Sequence, residues 1–199
     1  MKINETVSAC GLILIVTFVA FIPSLNNGFT NWDDDEHVTE NLTIRKLSWE
    51  NLSKIFTSYY VGAYIPLTIF SYSLEFNFFK LNPKVYHATN LFLHLLNCLL
   101  LLWLMFLLSK NIYLSFIAVI LFAVHPLRVE SVAWISERKD VLYSFFYLGS
   151  LISYIYFRKK EAAGFIWLSL FIFLLSLLAK PMAVTLPLAL LLLDYLGGR

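Results

Sequence analysis

Charge is the scarcest property of these 199 residues: Asp, Glu, Lys and Arg make up 14% of the chain, against 59% hydrophobic residues. Soluble domains carry about a quarter charged residues, so an ordinary aqueous globule is excluded and an integral membrane protein remains. Cysteine is almost absent. Cys10 and Cys98 both fall inside apolar segments, which excludes a disulfide framework and a cysteine metal site and leaves the redox compartment undetermined. Basic runs are missing as well. A net charge of +2 with scattered Lys and Arg cannot track a phosphate backbone, so nucleic acid is excluded as a partner. There is no internal repeat and no low-complexity stretch.

What is abundant is apolar sequence in lengths that suit helices. The pattern predicts an all-α membrane protein of about six transmembrane helices, near 7–23, 85–108, 112–124, 141–157, 165–178 and 183–196. The first span is followed by no small-x-small cleavage site, so it reads as an uncleaved anchor. The loop 24–84 is mixed. Leu52, Ile55, Phe56, Tyr59 and Tyr60 recur at helical spacing behind Ser48, a good N-cap, and predict an amphipathic helix suited to the membrane interface. Ile65 to Phe79 is apolar but would reach only about 22 Å, and it carries Glu75; it reads as a juxtamembrane helix. Asn41-Leu-Thr43 and Asn51-Leu-Ser53 match the glycosylation sequon.

Arg158-Lys-Lys160 is the one basic cluster and sets the topology, because Lys and Arg in short loops stay in the cytoplasm. Counting spans from it puts the N-terminus inside, with Lys2, Lys110 and Arg199 adding to the inner positive charge. It puts Asp33 to Glu36, His125 to Asp140 and Lys180 together on the outer side. The expected arrangement is a multi-pass membrane protein with these three charged segments on its outer face.

The charge that exists is concentrated. Phe29-Thr-Asn-Trp-Asp-Asp-Asp-Glu-His37 sets four consecutive carboxylates directly after an apolar span. Asp33, Asp34, Asp35 and Glu36 repel one another, so the cluster is expected to titrate high, to take a cationic partner or to hold a cation; the plainer reading is a solvated acidic turn. His87, Asn90, His94 and Asn97 share one face of the second span, as interhelical hydrogen-bonding groups or as the lining of a cavity. No third ligand is in register with His87 and His94, which argues against zinc. From His125 to Asp140, Pro126 suits a first helical position, which would align Glu130, Trp134, Glu137, Arg138 and Val141 on one face. Lys180 stands between Ala179 and Pro181 at a span end, where it either snorkels to the headgroups or faces a site.

Phe29-Thr-Asn-Trp-Asp-Asp34, Pro66-Leu-Thr68, His87-Ala-Thr-Asn-Leu91 with His94, His125-Pro-Leu-Arg-Val-Glu-Ser-Val-Ala-Trp134, Glu137-Arg-Lys-Asp140, Ala179-Lys-Pro-Met182 and Leu193-Asp-Tyr195 occur in that order. Together they resemble the bacterial multi-spanning proteins that carry tetratricopeptide repeats after the membrane domain. Those are similar to the transmembrane and tetratricopeptide O-mannosyltransferases and the protein O-mannosyltransferases of the GT-C fold. The resemblance covers essentially the whole chain and makes it an N-terminal part of such a domain, a GT-C-like module. It implies a polyprenyl-phosphate sugar donor, membrane lipid around the protein, a protein or glycan hydroxyl as acceptor, and a catalytic acidic pair, Asp33 and Asp34.

Residue chemistry is compatible with that role. An acceptor hydroxyl needs a carboxylate to take its proton as it attacks the anomeric carbon, and attack opposite the leaving phosphate inverts that centre. Arg138 and Lys180 are candidates for the departing phosphate, with His125, Glu130 and Asp140 nearby. Asp35, His87, Asn90 and His94 are expected to line the cavity. No cofactor is required by the sequence; a divalent cation at Asp33 to Asp35 is left open. A transporter with an intramembrane polar pathway and a non-catalytic scaffold subunit are the competing classes.

Overall fold

The computed structural model describes residues 3–197, so Lys2 and Arg199, counted above toward the inner charge, lie outside the described residues. The described residues are all-helical, without a strand beyond one isolated Tyr60–Ala63 bridge. Helix α1 is Ile3–Phe21, α2 Trp49–Thr57, α3 Pro66–Phe79, α4 Pro83–Ser109, α5 Ile112–Ala123, α6 Arg128–Ala133, α7 Arg138–Lys160, α8 Ala163–Ala179 and α9 Leu186–Leu196. Two segments are long and apolar enough to cross a membrane, Asn4–Asn26 and Pro83–Ser109. α5, α8 and the stretch Pro181–Leu196 are apolar but shorter.

Local chemistry sets most boundaries. Ser48 caps α2, its side chain accepting from Asn51 N–H. Asn82 caps α4, which has Pro83 in its first turn, and Asn111 caps α5, accepting from Tyr113 and Leu114 N–H. Pro66 opens α3 and Pro187 lies in the first turn of α9, so neither proline breaks a helix. α4 turns into α5 through Lys110 and Asn111, with Lys110 in a left-handed conformation, φ 57°. Between α2 and α3 the chain reverses in two residues at positive φ, Val61 and Gly62, while Tyr60 and Ala63 exchange backbone hydrogen bonds.

The bundle is held along α4. Ile13 of α1 packs with Cys98 and Leu102 of α4 and Val119 and Ala123 of α5, while Leu104 of α4 packs with Leu151, Ile152 and Ile155 of α7 and Leu186 of α9. α7 and α8 approach through small residues. Ser150 donates to the Ser169 carbonyl and Ser169 to the Ser150 carbonyl, both at 2.9 Å, and Ser176 donates to the Tyr143 carbonyl.

A second core lies at one end, built from Val38, Ile44, Ile55, Ile65, Ile69, Tyr72, Tyr86 and Ile135. α3 belongs to it along its length. Thr68 donates to the Ala179 carbonyl, Tyr72 to that of Ile135, and Ser73 and Asn77 to that of Ile44. These partners lie at the C-terminal end of α8 and in the short turns around Ile44 and Ile135, so α3 packs against the connecting segments of this end. Asn41, in the first sequon, is buried and occupied: it accepts from Thr43 N–H and donates to the His37 carbonyl.

One sequence expectation fails here. Glu130 to Val141 is not one helix. α6 stops at Ala133, Trp134 is extended (φ −97°, ψ 125°), and a short turn Ile135–Glu137 precedes α7. Tertiary hydrogen bonds hold the break open. Asn90 donates to the Trp134 and Ile135 carbonyls, Tyr72 donates to Ile135, and Ser136 N–H donates to Asp34. The backbone groups that a continuous helix would need are engaged elsewhere.

Candidate active site

The four-carboxylate loop divides by burial. Asp34 is fully buried. One of its oxygens accepts from Thr30 N–H and Oγ1 at 2.9 and 3.1 Å, the other from Ser136 N–H at 2.9 Å and from Ser136 Oγ. It ties the acidic loop to the break before α7 and has no lone pair free for a substrate. Asp35 accepts from Thr39 within a π-helical turn, Asp35–Thr39, and Glu36 is exposed. Asp33, Asp34 and Asp35 thus face three different sets of partners. Among the described residues no group of three His, Cys, Asp or Glu side chains is placed to hold a metal ion.

Asp33 is partly exposed and takes a cationic partner, Lys139, at 3.5 Å. From there a chain of ion pairs crosses the end of the bundle. Lys139 Nζ lies 2.8 Å from Glu137 Oε1, Glu137 Oε2 lies 3.7 Å from Lys180 Nζ, and Lys180 is bonded to Asp140. Ser131 donates to the second Asp140 oxygen at 3.1 Å. The five charged side chains keep 11 to 26% of their surface accessible, so they are held in place and still reachable. Three carboxylates stand against two ammonium groups, leaving one excess negative charge. Burial works against the Lys180 charge, but Asp140, through its bond and its charge, and Glu137 more than offset it, so the ammonium is held above the ordinary lysine value. Trp134 lies beside the cluster, its ring 6.0 Å from Lys139 Nζ and 5.9 Å from the exposed ring of Trp32.

Arg138 is not part of this surface. It is completely buried, donating to Glu75 at 2.6 Å, Asn90 at 2.9 Å, the Tyr86 carbonyl at 3.0 Å and Ser71 at 3.2 Å, with its guanidinium 4.5 Å from the Tyr72 ring. A guanidinium enclosed this way joins α3, α4 and α7, spends four of its five N–H donors inside the protein, and is out of reach of a phosphate because it is fully buried. The polar stripe of α4 likewise faces protein. Asn90 bonds the break after α6, His94 the Ala123 carbonyl at 2.9 Å, and Asn97 the Val141 carbonyl at 2.8 Å, while His87 lies 3.4 Å from the Gly28 carbonyl. All four are buried, so they act as interhelical hydrogen-bonding groups and line no open cavity. His125 and Glu130 are exposed. His125 accepts from Leu127 N–H in the turn before α6, and neither residue joins the ion-pair chain.

Sequence reasoning missed Glu137 and Lys139 as site residues. A usable signal existed: Glu137 and Asp140 are three apart at a helix start and both meet Lys180. It also missed His37, a buried imidazole stacked 6.5 Å from Tyr72. Burial first, then the Lys139 charge, push its pKa down to about 4 against the opposing pull of Asp33 and Asp34.

No protein-family model and no solved structure matches the chain. Curated proteins do. The chain is 34% identical over 137 residues to protein O-mannosyl-transferase TMTC1 of Mus musculus, 30% over 184 residues to protein O-mannosyl-transferase Tmtc1 of Drosophila melanogaster, and 28% over 207 residues to protein O-mannosyl-transferase F38B6.6 of Caenorhabditis elegans. These matches cover 62%, 85% and 94% of this chain, but 14%, 21% and 28% of those proteins. The chain therefore spans a minor part of the length of the curated relatives it matches, and by sequence it is related to the TMTC protein O-mannosyl-transferases.

Proposed function

We propose that the chain is the N-terminal part of a GT-C-type membrane glycosyltransferase that moves a mannosyl or similar hexosyl unit from a polyprenyl phosphate to a protein or glycan hydroxyl. The observation that carries the reading is the partly open chain Asp33–Lys139–Glu137–Lys180–Asp140, assembled from three segments at one end of an apolar bundle. The names of the relatives, protein O-mannosyl-transferases, support the sugar chemistry.

In this reading Asp33, and not the enclosed Asp34, takes the proton from the acceptor hydroxyl as its oxygen bonds to the anomeric carbon. The bond from that carbon to the phosphate oxygen breaks on the opposite face, which inverts the centre, and the polyprenyl phosphate leaves with the electron pair. Lys139 and Lys180 exchange a carboxylate partner for the departing phosphate and hold its charge. Asp140 and Glu137 keep both ammonium groups in position until the donor arrives. α1, α4, α5, α7, α8 and the Pro181–Leu196 segment form six crossings, with the charged chain on the outer face and Arg158 to Lys160 inside. The engagement of His87, Asn90, His94 and Asn97 with backbone carbonyls favours an enzyme over a transporter, since it leaves no polar pathway along α4.

The test is incubation of the full-length protein in detergent with polyprenyl-phosphate mannose and an acceptor peptide. Glycosylated product is expected, with Lys139→Met and Lys180→Met each raising the apparent donor constant and lowering turnover. Transport of a solute across vesicles without product would replace this reading with the transporter.

A further inference from the structure

The opposite end of the bundle holds a charged feature that sugar transfer does not use. Between α4, α7 and α9 lies a cavity of about 500 Å3, within the ~300–1,000 Å3 range of ligand sites. Its wall is apolar, with Leu107, Ile155, Leu193 and Leu196, and its rim carries Arg158 and Lys159.

Among the described residues the ion pairs at the rim leave part of its positive charge unmatched. Arg158 pairs through one terminal nitrogen with Asp194, which also accepts from Tyr154 Oη at 2.7 Å. Its Nε is buried without an acceptor. The neighbouring Lys110 pulls the Lys159 ammonium below the ordinary lysine range. Lys110 itself donates to the Leu107 carbonyl at 2.6 Å, at the C-terminal end of α4. Among the described residues no carboxylate stands within ion-pair distance of Lys110 or Lys159. Lys160 turns away to the rings of Tyr156 and Phe165. Arg158, Lys159 and Lys110, the last bonded to the backbone of Leu107 in the cavity wall, against Asp194 leave two excess positive charges beside an apolar cavity, and neighbouring like charges repel unless an anion lies between them.

We infer that this cavity binds an anionic phospholipid, its phosphate held by Arg158, Lys159 and Lys110 and an acyl chain lying against Leu107, Leu193 and Leu196. A free phosphate would satisfy the same cations but gain nothing from the apolar wall, which is why the lipid is the occupant chosen. The inference requires only that the chain lies in a membrane and is independent of the transferase reading.

Native mass spectrometry of the full-length protein in non-ionic detergent tests it, with phosphatidylglycerol, phosphatidylcholine or inorganic phosphate added. The wild type retains phosphatidylglycerol in preference to phosphatidylcholine, and millimolar inorganic phosphate does not displace it. Lys110→Gln and Lys159→Gln, both at exposed positions, each weaken retention about fivefold, whereas Lys46→Gln at the other end leaves it unchanged. Equal retention of the two lipids by the wild type overturns the inference, and is the result expected if a later part of a longer chain fills the cavity. Undiminished phosphatidylglycerol binding in the Lys110→Gln, Lys159→Gln double variant also overturns it. Displacement by inorganic phosphate overturns the lipid and leaves a site for free phosphate.

Discussion

Replacing Arg138 separates a structural residue from a substrate ligand, because its four hydrogen-bond partners and zero exposure make a definite energetic statement. Its closest partner is Glu75, at 2.6 Å and itself almost fully buried, with the second oxygen of that carboxylate buried and unpartnered. Arg138→Met strands a carboxylate in the core, unpairs Asn90 Oδ1 and removes the second donor from the Tyr86 carbonyl. Breaking a buried pair by removing one partner costs about 3–5 kcal/mol. Glu75→Leu strands the guanidinium and is expected to fall in the same range. The double variant Arg138→Met, Glu75→Leu removes both charges, so its loss should be smaller than the sum of the two by about 2–3 kcal/mol. Arg138→Lys keeps the charge but cannot reach four acceptors, and should lie between wild type and Arg138→Met. Unfolding in mixed micelles by SDS titration, followed by circular dichroism, gives all four values. Additive losses, or an Arg138→Met protein as stable as wild type but unable to use donor, would refute the reasoning and return Arg138 to the phosphate site.

The same logic applies to Asp34: Asp34→Asn keeps one acceptor oxygen for four donors and should lose roughly 2–3 kcal/mol in the same titration, while Asp33→Asn should change stability by less than about 0.5 kcal/mol. His37 has a folded pKa of about 4, below its unfolded value, so between about pH 6.5 and pH 4 the unfolded chain binds a proton that the folded one refuses. Stability therefore falls by about 3 kcal/mol as pH drops through that window, and His37→Phe should flatten this part of the stability–pH profile; parallel profiles would remove His37 from the account. For topology, with Cys10 and Cys98 replaced, an impermeant thiol reagent should label Glu36→Cys and Arg128→Cys from one side and Lys160→Cys only from the other. Labelling at 36 and 160 without 128 would mean that Ile65 to Phe79 crosses the membrane.

The parts of the fold legible in the sequence are those fixed by neighbours in the chain. Ser48 before an amphipathic run and Lys110-Asn111 between two long apolar segments specify helix ends through local hydrogen bonding, and Pro66 at the start of an apolar stretch does so through its fixed φ and missing N–H. The stripe of His87, Asn90, His94 and Asn97 was legible as a buried face, since polar groups in an apolar helix need partners, but the identity of those partners was not. The break at Trp134 was hidden, because the groups that cause it, Asp34, Asn90 and Tyr72, come from three other elements. Asp33 and Asp34 have the same side chain and adjacent positions, and only burial makes one a loop anchor and the other an open acid. Arg138 and Lys139 are neighbours of like charge in the same way, and the helix start at Arg138 sends one into the core and the other to the surface.

The central claim, that Asp33 takes the acceptor proton at the outer charged chain, is tested most directly by sugar transfer from polyprenyl-phosphate mannose with full-length Asp33→Asn protein of verified wild-type stability. The account predicts turnover lowered about a hundred- to ten-thousand-fold with donor binding retained. An Asp33→Asn protein that keeps more than about a tenth of wild-type turnover, a loss too small for a missing general base, would contradict it.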